Sequence, residues 1–74
     1  MKTVTIRDEF IKLGQALKLA GIASSGVDAK LMIEAEKVRV NGEVETRRGR
    51  KLRNGDTVET EGEAFMVQAP AEAD

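Results

Sequence analysis

The 74-residue sequence has no cysteine, no histidine, no tryptophan and no tyrosine. Without cysteine it has neither a disulfide framework nor a thiolate metal site. Without histidine it lacks the commonest general base and the commonest metal ligand. Long apolar runs are missing too: none approaches the roughly 20 residues that span a bilayer, and the opening MKTVTIRDEF has no signal-peptide core. No Ser-His or Cys-His combination and no G-x-x-x-x-G-K-[ST] phosphate loop occurs, and Glu59, Glu61 and Glu63 do not match a calcium loop. The expectation is a cytoplasmic protein from a reducing compartment that is not an enzyme. It is expected to take no cofactor, no metal, no small-molecule substrate and no membrane.

A chain this short makes one domain at most and buries only about 60% of its unfolded surface, so its stability is marginal. Charged residues are plentiful and nearly cancel, with a net of −1, but they are unevenly placed. Residues 1–36 balance to zero. Residues 37–53 carry Lys37, Arg39, Arg47, Arg48, Arg50, Lys51 and Arg53 against Glu43 and Glu45, a local +5. Residues 54–74 have no basic group and reach −6. The local field, not the net charge, decides what such a chain attracts.

Val4 and Ile6 alternate with polar neighbours and predict a short strand within residues 1–8. From Glu9 to Ala23 the period becomes helical, with Phe10, Leu13, Leu17 and Ala20 on one stripe and Gly21 as the stop. Ser25 is placed to cap a second helix, with Asp28 in its first turn and Ala29, Met32 and Ile33 on its apolar side. After Lys37 the chain turns β-like. Val38, Val40, Val44, Leu52, Val58, Phe65 and Val67 are separated by turn signals at Asn41-Gly42, Asn54-Gly55-Asp56 and Glu61-Gly62. Both phenylalanines, with Leu13, Leu17, Ile33, Val38, Val40 and Val58, are expected in the core. Residues 69–74 read as a flexible acidic tail behind a single domain over 1–68.

The Asn41-Gly42 pair is a strong hairpin signal. A two-residue loop would pair Val40 with Glu43 and Val38 with Glu45, turning both valines towards glutamates. A three-residue loop, Asn41 to Glu43, pairs Val40 with Val44 and keeps the valines on one face. Parity therefore predicts the wider turn.

Beyond that turn, Arg47, Arg48, Arg50 and Lys51 fall within five residues, broken only by Gly49. Arginine forks match phosphate geometry, and a glycine lets a backbone come close. With no tyrosine or tryptophan and both phenylalanines assigned to the core, base stacking is not expected. A cationic surface without aromatics suits the backbone of a folded RNA. Charge alone is equally met by a solubilising loop.

The stretches LGQALKLAG, VNGEVETRRGRKL and GDTVE, in this order and spacing, resemble the S4 RNA-binding domain over roughly residues 10–67. Within that superfamily the chain is similar to the short stand-alone bacterial proteins of the YaaA/YbcJ type. The resemblance implies an α+β class and the small αL fold, two short helices packed on a small, mostly antiparallel sheet. It also implies a non-catalytic protein that docks on structured RNA, commonly ribosomal RNA or a ribosomal particle, in ribosome biogenesis or translation. The RNA-facing positions it implies are Lys12, Lys30, Asn41, Arg47, Arg48, Arg50 and Lys51, with Lys18, Ser25, Lys37 and Arg39 as weaker additions. Gly14 stands where the family more usually has aspartate, and Gly26 where an arginine often follows the serine. Glu36 stands where a helix-ending glycine is usual; a left-handed glutamate costs roughly 1 kcal/mol, which points to a different helix exit. A monomer is expected. The alternative is a protein-interaction adaptor on the ribosome or another RNA-associated complex.

Overall fold

The computed structural model describes residues 1–70; of the expected tail, residues 71–74 lie outside the described residues. The elements run β1 (Lys2–Thr5), β2 (Ile11–Lys12), α1 (Leu13–Leu19), α2 (Gly26–Glu34), β3 (Val38–Val40), β4 (Glu43–Val44), β5 (Lys51–Leu52), β6 (Thr57–Thr60) and β7 (Glu63–Gln68). Five strands form one sheet in the order β1-β7-β6-β3-β4, antiparallel throughout except where β1 joins β7. β2 and β5 form a separate antiparallel ribbon. This is an α+β domain of two short helices and a mostly antiparallel sheet, as the resemblance implied.

Strand alternation decides which face of the sheet is covered. Val4, Val38, Val40, Val58, Phe65 and Val67 are buried together with Leu13, Ala16, Leu17, Ala20, Ala29 and Ile33 from the helices. Each buried valine, leucine or phenylalanine contributes about 1.5–3 kcal/mol, so this one layer carries the fold. Leu52 of the ribbon is also fully buried, and Ile11 packs against the same cluster. At the far end Ala69 is fastened by its N–H, which donates to Asn54 Oδ1 at 2.9 Å.

The first helix is shorter than its apolar period predicts. Residues 11–12 form a strand instead, and Ile11 and Lys12 pair with Leu52 and Lys51. No side chain caps α1. Its first free amides are instead met by the basic loop: Leu13 N–H donates to Arg50 O at 2.8 Å and Gly14 N–H to Arg48 O at 3.1 Å. Phe10 therefore leaves the predicted core stripe and is only half-buried.

The second helix starts as expected, with Ser25 Oγ accepting from Asp28 N–H at 3.1 Å. Its exit differs from expectation. Glu36 does adopt the left-handed conformation, φ 61°. Glu36 N–H donates to Ile33 O and Lys37 N–H to Met32 O, the paired bonds of a Schellman ending. Those bonds and the entry of Val38 into the core offset the strain.

The β3–β4 hairpin corrects the predicted register. Val40 pairs with Glu43 and Arg39 with Val44, around a two-residue turn with φ 52° at Asn41 and 86° at Gly42. Both values suit the tight type I′ turn. Val44 consequently faces outward and is 45% exposed. The parity argument treated a glutamate on the covered side as prohibitive. Glu45 takes that side because its carboxylate is fully partnered there.

Candidate nucleic-acid interface

Glu45 organises the loop that follows β4. Its side chain is 8% exposed, and one carboxylate oxygen accepts from the N–H groups of Thr46 and Arg47, each at 3.0 Å. Arg47 adds a bidentate grip at 3.0 and 3.1 Å, and Arg50 Nη1 reaches the second oxygen at 2.9 Å. The Arg47 guanidinium, then Arg50, pull the Glu45 pKa down to about 2 against the opposing effect of burial. The same contact raises that of Arg47. Two of the loop's four cations are thus tied to one carboxylate, although Arg47 keeps 72% of its side chain exposed.

The loop then crosses the start of α1. Gly14 is where it touches: a Cβ there would stand 2.7 Å from Arg48 Cγ and 3.3 Å from Arg48 Cδ. Any side chain at this position, aspartate included, would displace the arginine stem. The close approach leaves a cleft of about 300 Å³ lined by Lys12, Gln15 and Lys18 on one side and Arg48 and Gly49 on the other, with Gly26 at the start of α2. Lys12, Lys18 and Arg48 make no ion pair with any described residue. Glycine at position 26 leaves that end of the cleft open, with nothing within 4 Å of where its Cβ would be.

Beside the cleft lies the outer face of the β2–β5 ribbon. Lys12 and Lys51 are directly opposed there, while Ile11 and Leu52 point inward. One step further, Phe10 lies under Lys51 Nζ at 4.7 Å and the Arg53 guanidinium at 5.6 Å. Neither Lys51 nor Arg53 has a carboxylate partner among the described residues.

The residues singled out in the sequence thus separate into groups. Lys12, Lys18 and Arg48 line one cleft, and Lys51 stands opposite Lys12 on the ribbon. Lys30 is exposed on α2, one turn from Gly26. Arg47 and Arg50 border the group through Glu45. Lys37 is paired with Glu61 at 3.1 Å, and Arg39 sits opposite Glu59 on the uncovered side of the sheet. Ser25 is engaged as a helix cap. The Asn41 amide donates to Asp56 at 3.0 Å and accepts from Thr57 N–H at 2.9 Å. Arg53, counted in the basic segment, and Phe10, assigned to the core, were not among the site candidates read from the sequence. An alternation of 51 and 53 opposite 12 and 10 would have found them, had the two-residue strands been visible. Among the described residues no group of acidic side chains is placed to hold a metal, and no helix is long and apolar enough to cross a membrane.

A helical pair on a mostly antiparallel sheet, with cations at the start of its first helix that no carboxylate of the described residues pairs, is an α+β arrangement of the αL kind. The chain belongs to the S4 domain family, which matches residues 4–68. It is 51% identical over 59 residues to "Probable ribosome maturation protein RlbA" of Bacillus subtilis (strain 168), covering 80% of this chain and 83% of that protein. It is 41% identical over 59 residues to "Putative RNA-binding protein YbcJ" of Escherichia coli (strain K12), covering 80% and 84%. The solution structure of E. coli YbcJ, described as revealing an αL motif involved in RNA-binding, superimposes with a TM-score of 0.73 at 37% identity. That match covers 93% of this chain and 89% of the other.

Proposed function

We propose that this chain is a non-catalytic RNA-binding protein of the cytoplasm that docks as a monomer on folded ribosomal RNA, in ribosome maturation. The observation that carries the proposal is the grouping of Lys12, Lys18 and Arg48 at one cleft, with Lys51 opposite Lys12, none paired with a carboxylate of the described residues, on a chain of the S4 family. Its S4 relatives carry names that speak of RNA binding and ribosome maturation. The long stems of these lysines and this arginine let their charges reach the phosphates of a folded RNA, with exposed Lys30 and Arg47 as outer contacts. With about four phosphates neutralised, log affinity falls against log salt with a slope near −3 to −4. Titrating ribosomal RNA hairpins at several salt concentrations measures it. A Lys12→Gln/Lys18→Gln/Arg48→Gln/Lys51→Gln variant is expected to lose most of that slope. Unchanged binding by this variant, still folded by circular dichroism, would sink the proposal.

A second reading, a protein-interaction adaptor on the ribosome or another RNA-associated complex, draws on Val27 and Leu31, exposed one turn apart on α2. Co-sedimentation with ribosomal particles that survives ribonuclease treatment would favour it.

A further inference from the structure

We propose that the outer face of the β2–β5 ribbon is a subsite for one unpaired nucleotide, with its base on the Phe10 ring and its flanking phosphates on Lys51 and Arg53. This inference rests on the RNA-binding reading and adds to it the class of RNA feature recognised.

Four observations carry it. Phe10 lies outside the apolar cluster, half-buried in a chain with only two aromatic residues. The register places Lys12 opposite Lys51 on the outward side of the ribbon, and the ring is flanked by Lys51 Nζ at 4.7 Å and the Arg53 guanidinium at 5.6 Å. Neither cation is engaged by a carboxylate of the described residues, Asp8 and Glu9 just ahead of Phe10 included. The ribbon also adjoins the cleft through Lys12, which belongs to both.

An aromatic ring interleaved with cations is the arrangement that holds unstacked bases: the π face takes any base, and the cations take the backbone on either side. In the free protein the ring holds Lys51 and Arg53 by cation–π attraction. A phosphate is the stronger partner for both, so arriving RNA draws them off and vacates the ring for a base. A regular duplex offers no such base; a bulge, a loop or a junction does. The cleft would then hold duplex backbone while the ribbon selects for an unpaired nucleotide next to it.

The test uses three RNAs: a closed hairpin, the same hairpin with one bulged purine, and the same with an abasic bulge. The intact protein is expected to bind the purine bulge roughly tenfold more tightly than the other two, at the low end of what one stacked base contributes. Phe10→Leu is expected to erase that preference and keep both the closed-hairpin affinity and its salt slope. Phe10→Trp is expected to restore it. Because the chain has no tryptophan or tyrosine, that variant's single indole also reports stacking directly, by quenching with the purine bulge and not with the abasic one. Equal binding of purine and abasic bulges by the intact protein overturns the inference. An equal loss on all three RNAs in Phe10→Leu also overturns it, since Phe10 would then only prop the two cations. If none of the three RNAs binds, the RNA-binding reading itself fails and this inference falls with it.

Discussion

A carboxylate beside four cations is easily taken for a defect in a phosphate-binding loop, yet Glu45 gives that loop its shape. Its oxygens receive two backbone amides and two guanidinium groups, so residues 45–50 are held before any ligand arrives. Arg48, between the engaged Arg47 and Arg50 in sequence, is not drawn to that carboxylate and lines the cleft. Replacing Glu45 by glutamine keeps the size and removes the charge. With Arg47 largely solvated the cost is held to about 1–2 kcal/mol, a Tm lowered by about 5–10 °C at pH 7. The pH dependence follows from the depressed pKa. Glu45 stabilises fully above its ordinary value of 4.5, and that contribution is lost as pH falls through about 2. Thermal melts from pH 7 to pH 2 are therefore expected to converge for the two proteins at the acid end. A gap that persists at pH 2 would show that the ion pair is not its source.

At the scale of elements, the sheet and the second helix were legible because their signals are local. Period-two valines, paired turn residues and the Ser25 cap each act within a few positions. The hairpin register was misjudged because the partners that make Glu45 acceptable, Arg47 and Arg50, lie beyond the hairpin itself. The start of α1 was misjudged for a non-local reason. Phe10 stands three residues before Leu13 and so fits a helical stripe, but the strand that claims residues 11–12 is supplied by residues 51–52. The candidate site was legible in its composition and not in its division. Among the described residues Lys12, Arg48 and Lys51 have no carboxylate partner and Arg47 and Arg50 are engaged, while Arg53, counted in the basic segment but not among the candidate contacts, stands beside Phe10. Asn41 tests this division. Its left-handed φ and its bonds to Asp56 and Thr57 tie the β3–β4 turn to the start of β6. Asn41→Ala is expected to cost about 1–2 kcal/mol, and Asn41→Gly less, since glycine keeps the turn and loses only the side-chain bonds. In both, RNA affinity and its salt slope are expected to stay unchanged in the folded protein. A shallower slope in Asn41→Gly would make the amide an RNA contact.

Across the whole molecule the charges are sorted by position. The ribbon and cleft gather Lys12, Lys18, Arg48, Lys51 and Arg53, whereas Glu61 and Glu63 sit at the end of β6 furthest from β5. The sorting carries a cost in the free protein, because Lys12 and Lys51 are directly opposed and like charges in that relation are destabilising by roughly 0.2–1 kcal/mol. Among the described residues one ion pair exposed on both sides, Lys37 with Glu61, works the other way, and such a pair is worth about 0–1 kcal/mol. The Glu45 pairs are partly buried and so little screened by salt, which leaves several close cations against one solvated pair, and repulsion should win. Raising salt from about 20 to 200 mM, which shortens the screening length to below about 10 Å, is then expected to raise the Tm of the free protein by a few degrees. The same change acts in reverse on the complex: between 50 and 200 mM the affinity for RNA is expected to fall roughly 60- to 250-fold, following the slope of −3 to −4. Lys12→Gln separates the two effects, since it removes the opposed pair and one phosphate contact together. Its free form is expected to melt higher than the parent at low salt and to gain less from added salt, while its RNA affinity falls. If salt instead lowers the Tm of the parent, the cation cluster is not under strain, and attraction to the acidic end governs the field of the free molecule.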